Sequence, residues 1–143
     1  MELTQKFFEV VKQVQPEIVF LPHKGDMHVD HRVVSDAAMV AIRPIQAPYI
    51  RKVLVYETLS ETEWNIPSTE NFFSANYWVD ITDTYDKKID AMKCYNTQLC
   101  DFPHPRSIRA IEALSLLRGS TVGVNHAEAF ILIRGIVKNE IDI

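Results

Sequence analysis

Cysteine is scarce in this chain: Cys94 and Cys100 are its two, with five residues between them. That spacing suits neither a zinc knuckle nor a thioredoxin-type motif, so both read as reduced thiols. There is no apolar run near the roughly 18 residues that a membrane-spanning helix needs. Met1-Glu2-Leu3-Thr4 opens no signal-peptide pattern, and the expected location is therefore the cytoplasm. No stripe of Lys and Arg occurs, and the formal charge is −4. Nucleic acid and anionic membranes are thus not expected as partners. Neither an internal repeat, a low-complexity tract nor an interdomain linker interrupts the chain, so residues 1–143 read as a single, partial domain.

What is present is ordinary globular material, 47% apolar and 24% charged over 143 residues, enough for one real core. Residues 3–15 place Leu3, Phe7, Phe8, Val10, Val11 and Val14 at helical spacing. Pro16 ends that pattern. Residues 17–21 then form a short run without polar alternation, which predicts a parallel central strand buried on both faces. A second helix is expected over 31–43, burying Val34, Ala37, Ala38 and Ala41 and stopped by Pro44. Residues 51–57 read as the next strand, and 58–75 as a long irregular segment of the functional-loop kind, with Trp64, Phe72 and Phe73 pinning it to the core. A strand over 77–81, a helix over 83–99 capped by Thr82, a helix from Ser107 to Leu117 stopped by Gly119, and a strand over 127–134 complete the order. This rhythm predicts an α/β, Rossmann-like fold: a mostly parallel sheet with flanking helices.

The densest chemistry lies in residues 22–34, where His23, Asp26, His28, Asp30 and His31 fall within nine positions directly after the apolar run Ile18-Val19-Phe20-Leu21. A loop of this kind at the carboxyl end of a strand is where open α/β sheets build their sites. Neutral imidazole suits a borderline divalent ion such as zinc, and His28 and His31, three apart, address one small volume. Asp30 lies between them, placed either to orient a histidine or to cap the following helix.

Gly25-Asp26-Met27-His28-Val29-Asp30-His31-Arg32, with the late segment from Arg118-Gly119 to His126-Ala127-Glu128-Ala129-Phe130, resembles the LmbE-like (PIG-L) zinc-dependent de-N-acetylases. Residues 88–98 and the following His104-Pro105-Arg106-Ser107 resemble that family's stretch before its last helix. The resemblance implies removal of an acetyl group from a small N-acetylated sugar such as an N-acetylglucosaminyl conjugate. It implies that His31 is a ligand to zinc or another divalent metal. His28 would stabilise the oxyanion or protonate the leaving amine, with Asp30 supporting it. Asp26, Arg106, Arg109, His126 and Glu128 are the candidates for touching substrate, while His104 reads as a loop residue.

Two departures bear on this. The family's Ala-His-Pro-Asp-Asp-Glu motif, source of its other ligands and general base, does not occur. The chain thus reads as a carboxyl-terminal portion with its first strands missing. In the late motif His126 stands where the family often has tyrosine. Three readings follow: a deacetylase whose catalysis depends on the missing amino-terminal segment, lost by truncation or gene-start error or encoded on another chain, with a homo-oligomer or a chain supplying that segment as the expected partner; a non-catalytic binding or assembly module; or another metal-dependent hydrolase, such as a phosphoesterase.

Overall fold

The computed structural model describes residues 2–138. They divide into two compact units, one of residues 2–74 with 131–138 and one of residues 75–130. The first unit opens with helix α1 (Glu2–Val14). Its apolar stripe is only half covered: Phe7, Phe8 and Val11 are part-buried and no residue is fully buried. Gln15, at φ 50, takes the left-handed turn that ends α1 before Pro16. Strand β1 (Ile18–Pro22) leads through the site loop into helix α2 (Val29–Ala41), and strand β2 (Lys52–Tyr56) pairs parallel to β1 with Pro22 opposite Tyr56. The β1–α2–β2 unit packs its core from Leu21, Ala37, Ala38, Ile42, Ile50 and Val53. Small alanines on α2 let the helix lie close to β1. Ser35 is also buried on that face, and Val34 is only half covered.

The second unit carries strand β3 (Tyr77–Asp80), a 3-10 turn (Thr82–Thr84), helix α3 (Tyr85–Lys93) and helix α4 (Ile108–Val122). Strand β4 (Ala127–Gly135) begins there, antiparallel to β3 with Tyr77 opposite Phe130 and Asp80 opposite Ala127. The core of this unit is Ile81, Ile89, Ile111, Ala127, Ala129 and Phe130. The strands hydrogen-bond in the order β1-β2-β4-β3. The fold is α/β, a four-stranded sheet with flanking helices. Strands β1 and β2 run parallel, while β3 forms an antiparallel edge on β4, as many such sheets carry.

Several local expectations are corrected. Among the described residues strand β1 lies at the edge of the sheet rather than its centre, and Ile18 and Phe20, which share one face, are 48% and 53% exposed, while Leu21 on the other face is buried. Helix α3 ends at Lys93 rather than 99, because Cys94, Tyr95, Asn96 and Thr97 are poor helix formers. Thr82 caps nothing there; its amide and hydroxyl both bond to the Asp80 carboxylate. Gly119 lies inside α4, and Gly123, at φ 80, is the left-handed stop. A Cβ on Gly119 would sit 2.6 Å from the Val124 carbonyl oxygen, so that glycine serves close approach instead. Ser107 caps α4 as expected, its Oγ accepting from the Ala110 amide.

Candidate functional site

The site loop joins the carboxyl end of β1 to the amino end of α2. His28 is the N-cap of α2: its Nδ1 accepts the Asp30 amide hydrogen at 3.1 Å. Asp30 is therefore not the cap, and its carboxylate lies 3.9 Å from His28 Nδ1. With Nδ1 accepting, the neutral ring carries its proton on Nε2 and presents an N–H outward. His31, on the first turn of α2, has the reverse arrangement. Its Nδ1 meets Asp26 Oδ2 at 2.7 Å, so Nδ1 donates and Nε2 keeps a bare lone pair. The two rings stack at 5.3 Å and 26°. Two neighbouring imidazoles thus offer opposite polarity, one donor and one acceptor.

Asp26 has 0% solvent exposure. Its Oδ1 accepts from the Thr62 hydroxyl at 2.6 Å and its Oδ2 from His31. Such a carboxylate is held by its hydrogen bonds in a place that would otherwise disfavour charge. Sequence reasoning put Asp26 against substrate; burial of both oxygens makes it a support for His31 instead. His23 is buried as well, its Nε2 donating to the Asn71 carbonyl at 3.0 Å and its ring edge-on to Phe73.

Residues 58–75 supply groups that the sequence reading did not single out. Met27 donates its amide to the Glu61 carbonyl, and Asn65 Nδ2 donates to the Gly25 carbonyl at 2.6 Å. Gly25 is tightly enclosed: a Cβ there would stand 2.7 Å from the Asn71 backbone. Tyr56, opposite Pro22 at the end of β2, has its phenol pushed above the usual 10.0 by burial and then by the Asp26 charge. The signal that was available was the length and polarity of the 58–75 segment.

In the second unit, His126 faces an open cavity of about 460 Å³ lined also by Thr82, Tyr85, Asp86, Leu116 and Asn125. Ser115 Oγ donates to the Glu112 carbonyl, so it accepts from His126 Nδ1 at 2.9 Å. The imidazole stacks on Tyr85 at 4.0 Å and 12°. The Tyr85 phenol is raised above 10.0 by burial, then by the charges of Glu112 and Asp86. The other substrate candidates are engaged elsewhere. Glu128 pairs with Lys88 at 2.6 Å, Arg109 covers the Phe102 ring at 4.5 Å, and Arg106 holds Gln98 Oε1 at 2.7 Å. His104 Nδ1 accepts the Arg106 amide, which closes the two-proline loop. Cys94 and Cys100 are exposed free thiols.

A catalytic zinc centre needs three protein ligands. Among the described residues no three His, Cys, Asp or Glu are grouped so as to hold a metal ion. His31 Nε2 is one donor, and the residues present do not by themselves fit a zinc centre. No described helix is long and apolar enough to cross a membrane.

No family model matches the chain. Among solved structures it is similar to the conserved protein TT1542 from Thermus thermophilus, with TM-score 0.73 and 24% identity over 96% of this chain and 60% of that one. It is also similar to an N,N'-diacetylchitobiose deacetylase from Pyrococcus horikoshii, with TM-score 0.68 and 21% identity over 94% of this chain and 52% of that one. At these identities the likeness establishes a shared fold. The chain spans between half and two thirds of each of these proteins.

Proposed function

We propose that this chain carries part of the active site of a de-N-acetylase, an amide hydrolase acting on N-acetylated sugars of the N-acetylglucosaminyl type. The observation that carries the reading is the stacked pair of imidazoles with opposite proton polarity, set at the end of a parallel strand. Hydrolysis of an amide asks for a donor to the carbonyl oxygen as it becomes an oxyanion, and for a proton delivered to the departing amine. His28 offers Nε2–H for the first task and, when protonated, an acid for the second, with Asp30 beside its Nδ1. His31, oriented by Asp26, offers a lone pair to a zinc or other divalent ion whose remaining donors come from outside the described residues. Those donors would come from a segment outside the given sequence, from a further copy of this chain, or from a chain bearing the acidic motif. The fold shared with a deacetylase supports it.

Calorimetry with zinc, on this chain and on His31→Ala, tests the assignment of His31. Weak binding in the chain that disappears in the variant is expected, together with little or no release of acetate from N-acetylglucosaminyl compounds by the chain alone. Equal zinc binding by the two proteins, or deacetylation undiminished by His31→Ala, would remove His31 from the site.

A second reading, an assembly module without catalysis, is favoured by edge strand β1 with its exposed Ile18 and Phe20. Exposed apolar edges of this kind invite pairing with another chain. Stable dimers that neither bind zinc nor hydrolyse acetyl groups in the presence of a full-length relative would favour it over the enzyme.

A further inference from the structure

We propose that Thr62 is a positioning residue for His31, acting through the Asp26 carboxylate to decide which imidazole nitrogen carries the proton. This role takes His31 as a site residue and so rests on the function proposed above, but hydrogen-bond direction alone fixes it. The Thr58 amide donates to Thr62 Oγ1 at 2.8 Å. An amide nitrogen cannot accept, so the Thr62 oxygen accepts there and its single proton goes elsewhere. It goes to Asp26 Oδ1, 2.6 Å away. A carboxylate only accepts, so Oδ2 takes the hydrogen of His31 Nδ1 at 2.7 Å. Each bond in the series thereby has a fixed donor: the Thr58 amide donates to Thr62, and the Thr62 hydroxyl and His31 Nδ1–H both donate to Asp26, which leaves His31 Nε2 bare.

The geometry makes the series rigid. Asp26 is withdrawn from solvent, and among the described residues hydrogen bonds from Thr62 and His31 hold its side chain. Its neighbours in the loop are bound to the same returning segment, Met27 through Glu61, Gly25 through Asn65 and His23 through Asn71. Without the Thr62 hydroxyl the carboxylate keeps one tether and can turn about its Cβ–Cγ bond. His31 then loses a fixed acceptor at Nδ1, and the form with the proton on Nε2, useless as a lone-pair donor, becomes populated.

The test reads the ring nitrogens of His31 directly, by long-range proton–nitrogen correlation on labelled wild type, Thr62→Val and Thr62→Ser, with His31→Ala to assign the signals. In wild type the expected pattern is Nδ1 protonated and Nε2 bare. In Thr62→Val the two nitrogen resonances move toward each other as the tautomers mix, and Thr62→Ser restores the wild-type pattern. A wild-type ring protonated on Nε2 overturns the proposal. So does a Thr62→Val protein that melts at lower temperature yet keeps the wild-type ring pattern, since Thr62 would then only hold the loop. Should Thr62→Val fail to fold, the unsubstituted protein still decides: a Thr62 hydroxyl proton sheltered from solvent exchange supports the relay, and one exchanging freely overturns it. Neither substrate nor metal enters these measurements. A failed ring-nitrogen pattern and a failure of acetyl hydrolysis are therefore read separately.

Discussion

His31 Nδ1 and Asp26 Oδ2 lie 2.7 Å apart, and Asp26 is wholly withdrawn from water. This pair turns a loop rich in polar residues into a site with a defined proton arrangement. His31 is held as an acceptor while its stacked neighbour His28 is held as a donor by the Asp30 amide.

Asp26→Asn keeps the shape of the side chain but brings an NH2 group to a place where both neighbours are donors. His31 can accept that NH2 at Nδ1 only by moving its proton to Nε2, and both neighbours lose a charged acceptor in the interior. The expected loss of stability is about 1–3 kcal/mol, read as a lower urea midpoint with an unchanged slope. An unchanged midpoint would mean that the pair contributes nothing to folding.

Gly25→Ala places a methyl group 2.7 Å from the Asn71 backbone. Backbone cannot yield as a flexible side-chain end can, so the 58–71 segment must shift. A cost of about 1–3 kcal/mol is expected from this overpacking. Faster amide hydrogen exchange at Met27 and Asp26 should accompany it, since their hydrogen bonds close the same loop.

Ile42 and Ile45 are three positions apart and opposite in circumstance, 1% and 95% exposed. Ile42→Ala opens a cavity beside α2 and should cost about 2–5 kcal/mol. Ile45→Ala should change stability by no more than about 0.5 kcal/mol. Thermal unfolding of the two variants side by side checks the contrast.

Tyr56 and Tyr85 have phenol groups raised above 10.0, by burial first and by neighbouring carboxylates second. A raised folded-state value means that the unfolded chain releases these protons earlier. Their contribution to stability is whole below pH 10.0, the unfolded value, and is lost as pH rises through the folded values. Stability should therefore fall on the alkaline side, and Tyr56→Phe with Tyr85→Phe should flatten the fall. An unaltered alkaline slope in the double variant, measured by urea unfolding across that range, would contradict this.

Much of the architecture was legible because its causes are local. Helix periodicity ran true for α1 and α2, the apolar run preceding His23 became β1, and Ser107 capped α4 because a cap needs only its next few residues. The site loop was visible for the same reason: His28, Asp30 and His31 lie within one turn of chain. Helix ends were less legible. Gly119 and Gly123 are alike as letters, and only the path of the returning chain over Gly119 tells a close-approach glycine from a left-handed stop.

Spacing, capping and turn chemistry act over a few residues, and they were enough to specify the α/β order of elements and the position of the imidazole loop. Tertiary structure alone decided that β1 lies at an edge, that Asp26 is buried behind His31 rather than open to substrate, and that Glu128 is spoken for by Lys88. It also joined Thr62 to Asp26 across 36 residues of chain. Burial and hydrogen-bond direction at such separations depend on which segments fold back on one another, and no local pattern encodes that.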